Sequence, residues 1–140
     1  MTHFDLQNRI QSVFDSQSML KTMGVRLLRV SAGEVQLEMD FQPAFTQQHG
    51  FLQAGAIATL VDNACGYAAY TLIPPSGSIL TVEFKVNFIA PAQGERFIAT
   101  GRAVKSGRTL AICTGEAVAI SGGELKTIAL MQATMMNMQK

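Results

Sequence analysis

Hydrophobic positions change their period several times along the chain, and each change marks an element. Over residues 4–14, Leu6, Ile10, Val13 and Phe14 recur at helical spacings, and residues 18–23 predict a second short turn ending at Gly24. Residues 1–23 therefore read as a helical flank, shaped like a lid. From Val25 the period drops to two. Val25 and Leu27, then Val35, Leu37 and Met39, alternate with polar residues on either side of Ala32-Gly33, which predicts a β-hairpin. Residues 42–53 are polar and turn-forming around Pro43 and Gly50, and they feed a long apolar helix predicted over 54–72. Beyond Pro74-Pro75-Ser76-Gly77, β-rich runs at 79–89, 96–104, 109–120 and 125–135 are expected. Their separators, Pro91-Ala92-Gln93-Gly94, Lys105-Ser106-Gly107-Arg108 and Ser121-Gly122-Gly123, are good turn formers. A flank, two strands, one long helix and a meander of antiparallel strands form an α+β order, with the helix laid on one sheet face. No linker or repeat interrupts 1–140, so a single domain is expected.

Composition narrows the function. With 48% hydrophobic and 15% charged residues in 140, the chain can bury a core and is not of a disordered type. A net charge of +1 supplies no basic field for a phosphate backbone, so no nucleic-acid partner is expected. Cys65 and Cys113 lack a CxxC partner, which predicts neither a disulfide framework nor a zinc cluster and fits a reducing cytoplasm. The start, MTHFDLQNRI, lacks the basic-then-apolar order of a signal peptide. Residues 54–73 approach membrane-spanning length but carry Asp62 and Asn63 near their centre, and an aspartate there costs about 2.5–3.5 kcal/mol on insertion. The stretch is therefore expected to be a buried helix, with no membrane partner.

That aspartate is also the chain's clearest chemical signal. Between Asp40 and Glu83 it is the one formally charged residue, set in the most apolar helix. Helical spacing puts Gly55, Ala58, Thr59, Cys65, Gly66 and Ala69 around it as a small-residue cleft side, with Ile57, Leu60, Val61, Ala64, Tyr67, Ala68 and Leu72 as the core side. Desolvation raises a carboxyl pKa, a common route to a general base effective near neutral pH. A structural aspartate bonded to Asn63, to a threonine or to a neighbouring subunit is the alternative. Just upstream, Thr46-Gln47-Gln48-His49-Gly50 bring amide and imidazole groups to the helix start at Ala54-Gly55, where free N–H groups can polarise an oxygen. A carbonyl held there, with Asp62 two turns below, describes acyl transfer to water. The chain has no GxSxG elbow, HExxH, metal cluster or phosphate loop, so neither metal nor cofactor is expected. Cys65 reads better as a small core thiol than as a nucleophile.

The block running from Gln47 to Asp62, QQHGFLQAGAIATLVD, resembles the Asn-x-x-Gly-x-x-His-Gly-Gly-x-x-x-x-Leu-x-Asp motif of the hotdog-fold acyl-CoA thioesterases, in their PaaI-like branch. Residues 80–92 (LTVEFKVNFIAPA) and 101–110 (GRAVKSGRTL) support the match, which covers roughly 20–136. The resemblance implies a hotdog fold, an antiparallel sheet wrapped around one long apolar helix. It implies an acyl-CoA substrate with an aromatic or medium-chain acyl group, and Asp62 as base or nucleophile. By the same resemblance Gln47, with its neighbour Gln48, orients water or thioester, the Ala54 and Gly55 N–H groups polarise the carbonyl, and Thr81 assists the water. His49, Gly50, Phe51 and Gln53 fall at the substrate. Lys105, Ser106, Gly107 and Arg108 fall where the nucleotide end of CoA lies, a place that two cations on a permissive turn suit, although a solvated hairpin has the same look. The site would be shared across a homodimer, paired again as a dimer of dimers. One departure stands out: Gln53-Ala54-Gly55 replaces the family's His-Gly-Gly. It leaves a second function open, an acyl-CoA binding or sensing protein without efficient turnover. A hotdog dehydratase is disfavoured by the Asp62 motif.

Overall fold

The computed structural model describes residues 2–138. Helix α1, His3–Asp15, opens on a capping box: the Thr2 hydroxyl accepts from the Asp5 N–H at 3.1 Å while the Asp5 carboxylate accepts from the Thr2 N–H. Its stripe of Leu6, Ile10 and Phe14 is buried. A short helix α2, Ser18–Thr22, leads to Gly24, whose φ of 70° turns the chain into the sheet. Strands β1 (Arg26–Ser31) and β2 (Glu34–Asp40) form the expected hairpin, with Gly33 at φ 77° in its tight turn. On β2 the alternation is complete, with Val35, Leu37 and Met39 buried and Glu34, Gln36 and Glu38 on the outer face.

Helix α3, Ala54–Tyr70, is followed by β3 (Ser78–Phe88), β4 (Arg96–Ser106), β5 (Leu110–Ser121) and β6 (Glu124–Met138). All pairings are antiparallel, in the order β1-β2-β4-β5-β6-β3, and the sheet wraps α3 in a hotdog fold, as the resemblance implied. The expected meander holds only for β4 to β6. Strand β3 lies at the far edge against β6, because β2 and β5 occupy both edges of β4. A turn signal marks where a chain reverses, not which strand it joins.

Two glycines seat the helix on the sheet. A Cβ at Gly101 would collide with the Ala64 backbone, and one at Gly115 would lie 2.6 Å from Val61 and 2.8 Å from the Cys65 sulfur. The close approach turns Cys65 and Ala69 into the core, which corrects their expected place on the cleft side. Asp62, Asn63 and Gly66 are left half-buried beside β3. The helix also stops at Tyr70, two residues short of its expected end, so that Leu72, expected on the core side, is 43% exposed. The Thr71 hydroxyl instead accepts from the Gly33 N–H at 2.8 Å and ties the helix end to the hairpin turn.

Candidate active site

A β-bulge brings the second polar group to Asp62. In β3 the register slips between Thr81, opposite Met135, and Glu83, opposite Thr134. In a regular strand positions 81 and 83 would share a face; the extra residue, Val82, reverses the phase, so Thr81 faces the helix and Glu83 the outside. The Thr81 hydroxyl then donates to Asp62 Oδ1 at 2.7 Å. Asn63 does not join them, since its amide donates back to the Thr59 carbonyl at 2.8 Å. Burial raises the Asp62 pKa above the ordinary carboxylate value, and the Thr81 hydrogen bond offsets part of that rise. Together they border a cavity of about 320 Å³ lined also by Val13, Gln17, Tyr67, Tyr70 and Ile79. Cys65, one turn on, is fully buried and burial drives its thiol strongly upward, which leaves it inert as a nucleophile.

The loop residues gather elsewhere. Gln47, Gln48, Phe51, Gln53 and Ala54 line a second cavity of about 660 Å³, together with Phe88, Ile89 and Pro91. The loop is held by a Thr46–Leu52 bridge and by Gln47 N–H to the Phe51 carbonyl at 2.8 Å. The Gln47 side-chain oxygen accepts from the His49 N–H, leaving its amino group as the donor toward the cavity. His49 and Gly50 are exposed and line neither cavity. Gln53 caps α3 in position only: its side chain makes no capping bond, and Ala54 and Gly55, whose first-turn N–H groups have no acceptor within the helix, are exposed.

Within one chain these two groups do not meet at one carbonyl. Ala54 and Asp62 are eight residues apart on one helix, about 12 Å at 1.5 Å per residue, and they border different cavities. The expectation of a carbonyl held at the helix start above its own Asp62 is thus not met inside a protomer. The cationic turn lies at the Asp62 end of the sheet. Lys105, Ser106 and Arg108 are exposed, while Asn137, opposite Ile79, donates its backbone N–H to the Thr109 carbonyl and its side-chain amide to the Arg108 carbonyl. Gly107 N–H donates to the Leu110 carbonyl at 2.8 Å, closing the turn. Tyr67, Tyr70, Val13 and Gln17 were not singled out as site residues from sequence, because Tyr67 read as helix core, Tyr70 was placed on neither side of the helix, and the flank's contact with them is tertiary. Among the described residues no cluster suited to a metal ion occurs, and no helix is long and apolar enough to cross a membrane.

Residues 49–126 match the thioesterase superfamily. A solved thioesterase family protein from Silicibacter pomeroyi is 44% identical, covers 96% of this chain and 99% of its own, and superposes with a TM-score of 0.95. Human acyl-coenzyme A thioesterase 13 is 26% identical over 122 residues, 86% of each chain. The PaaI protein from the phenylacetic acid degradation operon of E. coli shares the fold, with a TM-score of 0.86 at 16% identity over 95% of this chain and 93% of its own.

Proposed function

This chain belongs to the thioesterase superfamily, and from that premise we propose that it hydrolyses the thioester of an aromatic or medium-chain acyl-CoA, with Asp62 as general base. The observation that carries the proposal is the Asp62–Thr81 pair, a partly desolvated carboxylate hydrogen-bonded at 2.7 Å at the edge of a cavity. Asp62 takes a proton from water, the water oxygen adds to the carbonyl carbon, and the carbon–sulfur bond breaks as the CoA sulfur leaves with the proton. Thr81 orients the carboxylate and the water. The oxyanion is met by the helix-start N–H groups of Ala54 and Gly55, with Gln47 and Gln48 holding the thioester.

Because one chain separates these donors from its own Asp62 by about 12 Å, the working site takes the helix start from one copy and the carboxylate from another. The outer edge of β3 supports a second copy there. It has no strand beyond it, and Leu80, Val82, Phe84 and Phe88 are exposed along it. Lys105 and Arg108, neither in an ion pair among the described residues, receive the CoA phosphates.

The test is release of free thiol from short, medium, long and aromatic acyl-CoAs. Asp62→Asn is expected to lower kcat by about 10²–10⁴-fold, the range for loss of a general base; an unchanged rate removes Asp62 from the mechanism. A second reading, binding without turnover, is favoured by the uncapped, exposed Gln53 amide in place of the family's imidazole. It predicts that acyl-CoA raises the melting temperature with no thiol released.

A further inference from the structure

The Thr81 hydroxyl touches two acceptors and carries one proton. It lies 2.7 Å from Asp62 Oδ1 and 3.4 Å from the sulfur of Met135, and the second contact has no place in the hydrolysis described above. Met135 is the register partner of Thr81 across the β3–β6 pair, so the bulge that turns Thr81 toward the helix also sets it beside this side chain. Met135 is wholly buried, with buried Ala111 of β5 on its other side. Among the described residues, Thr81 is the one hydrogen-bond donor that its sulfur meets.

A thioether is a weak acceptor with no proton of its own, whereas a hydroxyl both donates and accepts. While Asp62 is ionised, the charge-assisted bond to Oδ1 holds the Thr81 proton, being about twice as strong as a neutral one. Once Asp62 has taken a proton from water, that advantage is lost. With the new proton on Oδ1, the two groups set hydrogen against hydrogen unless Thr81 turns its own away, and the Met135 sulfur is the acceptor within reach. We propose that Met135 is a positioning residue of the base: its sulfur receives the Thr81 hydroxyl when Asp62 is protonated, so that Thr81 changes from donor toward Asp62 into acceptor from it. The change is a rotation about the Thr81 Cβ–Oγ1 bond, with no covalent bond made or broken, and it reverses when Asp62 gives its proton to the departing CoA sulfur. This role in catalysis rests on the thioesterase reading above. Asp62 is the only charged residue among those lining its cavity, and Glu83 of β3 faces the outside. Helix α3 brings Cys65, Tyr67 and Tyr70 near it, and burial pushes the Cys65 thiol strongly upward and the Tyr67 hydroxyl up to about 12, so both stay neutral where a carboxyl titrates. Helix α1 contributes the uncharged Val13 and Gln17, while its Arg9 lies over the Tyr70 ring.

Sulfur-free side chains of similar volume test this. Met135→Leu and Met135→Ile are the kind of exchange that a core tolerates best, and their different shapes share one missing acceptor. Asp62 is titrated by carboxyl carbon-13 NMR, with its signal assigned by Asp62→Asn, and the acid limb of kcat/KM for phenylacetyl-CoA is followed in parallel. Losing an acceptor that serves only the protonated form favours ionisation. Both variants are therefore expected to lower the Asp62 pKa and to move the acid limb to lower pH by about half a pH unit, the size of one weak hydrogen bond. The shift survives in a Thr81→Ser background, which keeps a hydroxyl, and vanishes in Thr81→Ala, because Met135 acts through that hydroxyl alone. A pKa unchanged to within about 0.2 in both sulfur-free variants, or a shift that persists in the Thr81→Ala background, overturns the inference and leaves Asp62-dependent hydrolysis standing. Absence of any thiol release that depends on Asp62 overturns the thioesterase reading and the catalytic role of Met135 together, even where the titration moves as expected.

Discussion

Burial and hydrogen bonding pull the Asp62 carboxyl in opposite directions, and burial is the stronger. An unfolded chain ionises Asp62 near the ordinary 3.8, whereas the folded chain holds that proton to a higher pH. Between those two values the folded state binds the extra proton, so the Asp62 contribution to stability falls as pH rises and stays low above the window. An asparagine at this position cannot ionise and still offers Thr81 an acceptor. Asp62→Asn is therefore expected to melt higher than wild type at neutral pH, with the gap closing below about 3.8; melting curves against pH for the two proteins check it, and a less stable variant at neutral pH contradicts it. With Asp62 as the proposed base, activity is expected to carry the same signature. The acid limb of kcat/KM is expected to be set by a group titrating above the usual carboxylate range, and Thr81→Ala, which deletes the hydrogen bond that lowers it, is expected to move that limb to higher pH. Asp62 was legible from sequence as a solitary charge in an apolar helix. Its hydrogen bond to Thr81, 19 residues on, was not, because it depends on a bulge at Val82 that no local pattern signals.

At the scale of elements, the seat of α3 on the sheet sets which way Asp62 faces. Gly101 is where the Ala64 backbone rests, so Gly101→Ala forces the helix outward. Overpacking of this kind destabilises by about 3 kcal/mol and lowers Tm by roughly 10 °C, which thermal denaturation reads directly. The helix start allows a cleaner change. Ala54 is the first helical residue and Gln53 before it is extended at φ −56° and ψ 141°, a conformation that proline accepts on both sides. Ala54→Pro deletes one N–H with little effect on folding, and kcat is expected to fall by about 10²-fold if that N–H meets the oxyanion. The elements themselves were largely readable. Alternation located β2, Ala32-Gly33 the hairpin turn, and the apolar run α3. The place of β3 and the inward turn of Cys65 were not, because strand partners and glycine seats are set by distant segments.

For the molecule as a whole, the separation of the two half-sites is what the proposed two-copy site has to bridge. A single chain holds its helix-start donors and its carboxylate in different cavities, and in the proposed assembly a second copy on the apolar outer edge of β3 brings them together. Composition anticipated a buried core and no charge field but carried no information on this division; the family resemblance implied a site shared across a homodimer, and the two ends of α3, bordering different cavities, are the physical counterpart of that expectation. The division makes a prediction that no single-chain site shares. Asp62→Asn and Ala54→Pro each damage every site of their own assembly, yet a mixed pair contains one site with an intact carboxylate from one chain and intact N–H groups from the other. The decisive measurement is thiol release from phenylacetyl-CoA by the two variants, assayed apart and after being unfolded and refolded together. With two-fold symmetry and random pairing, the mixture recovers about a quarter of wild-type activity. A mixture no more active than the average of its two components contradicts a site shared between copies.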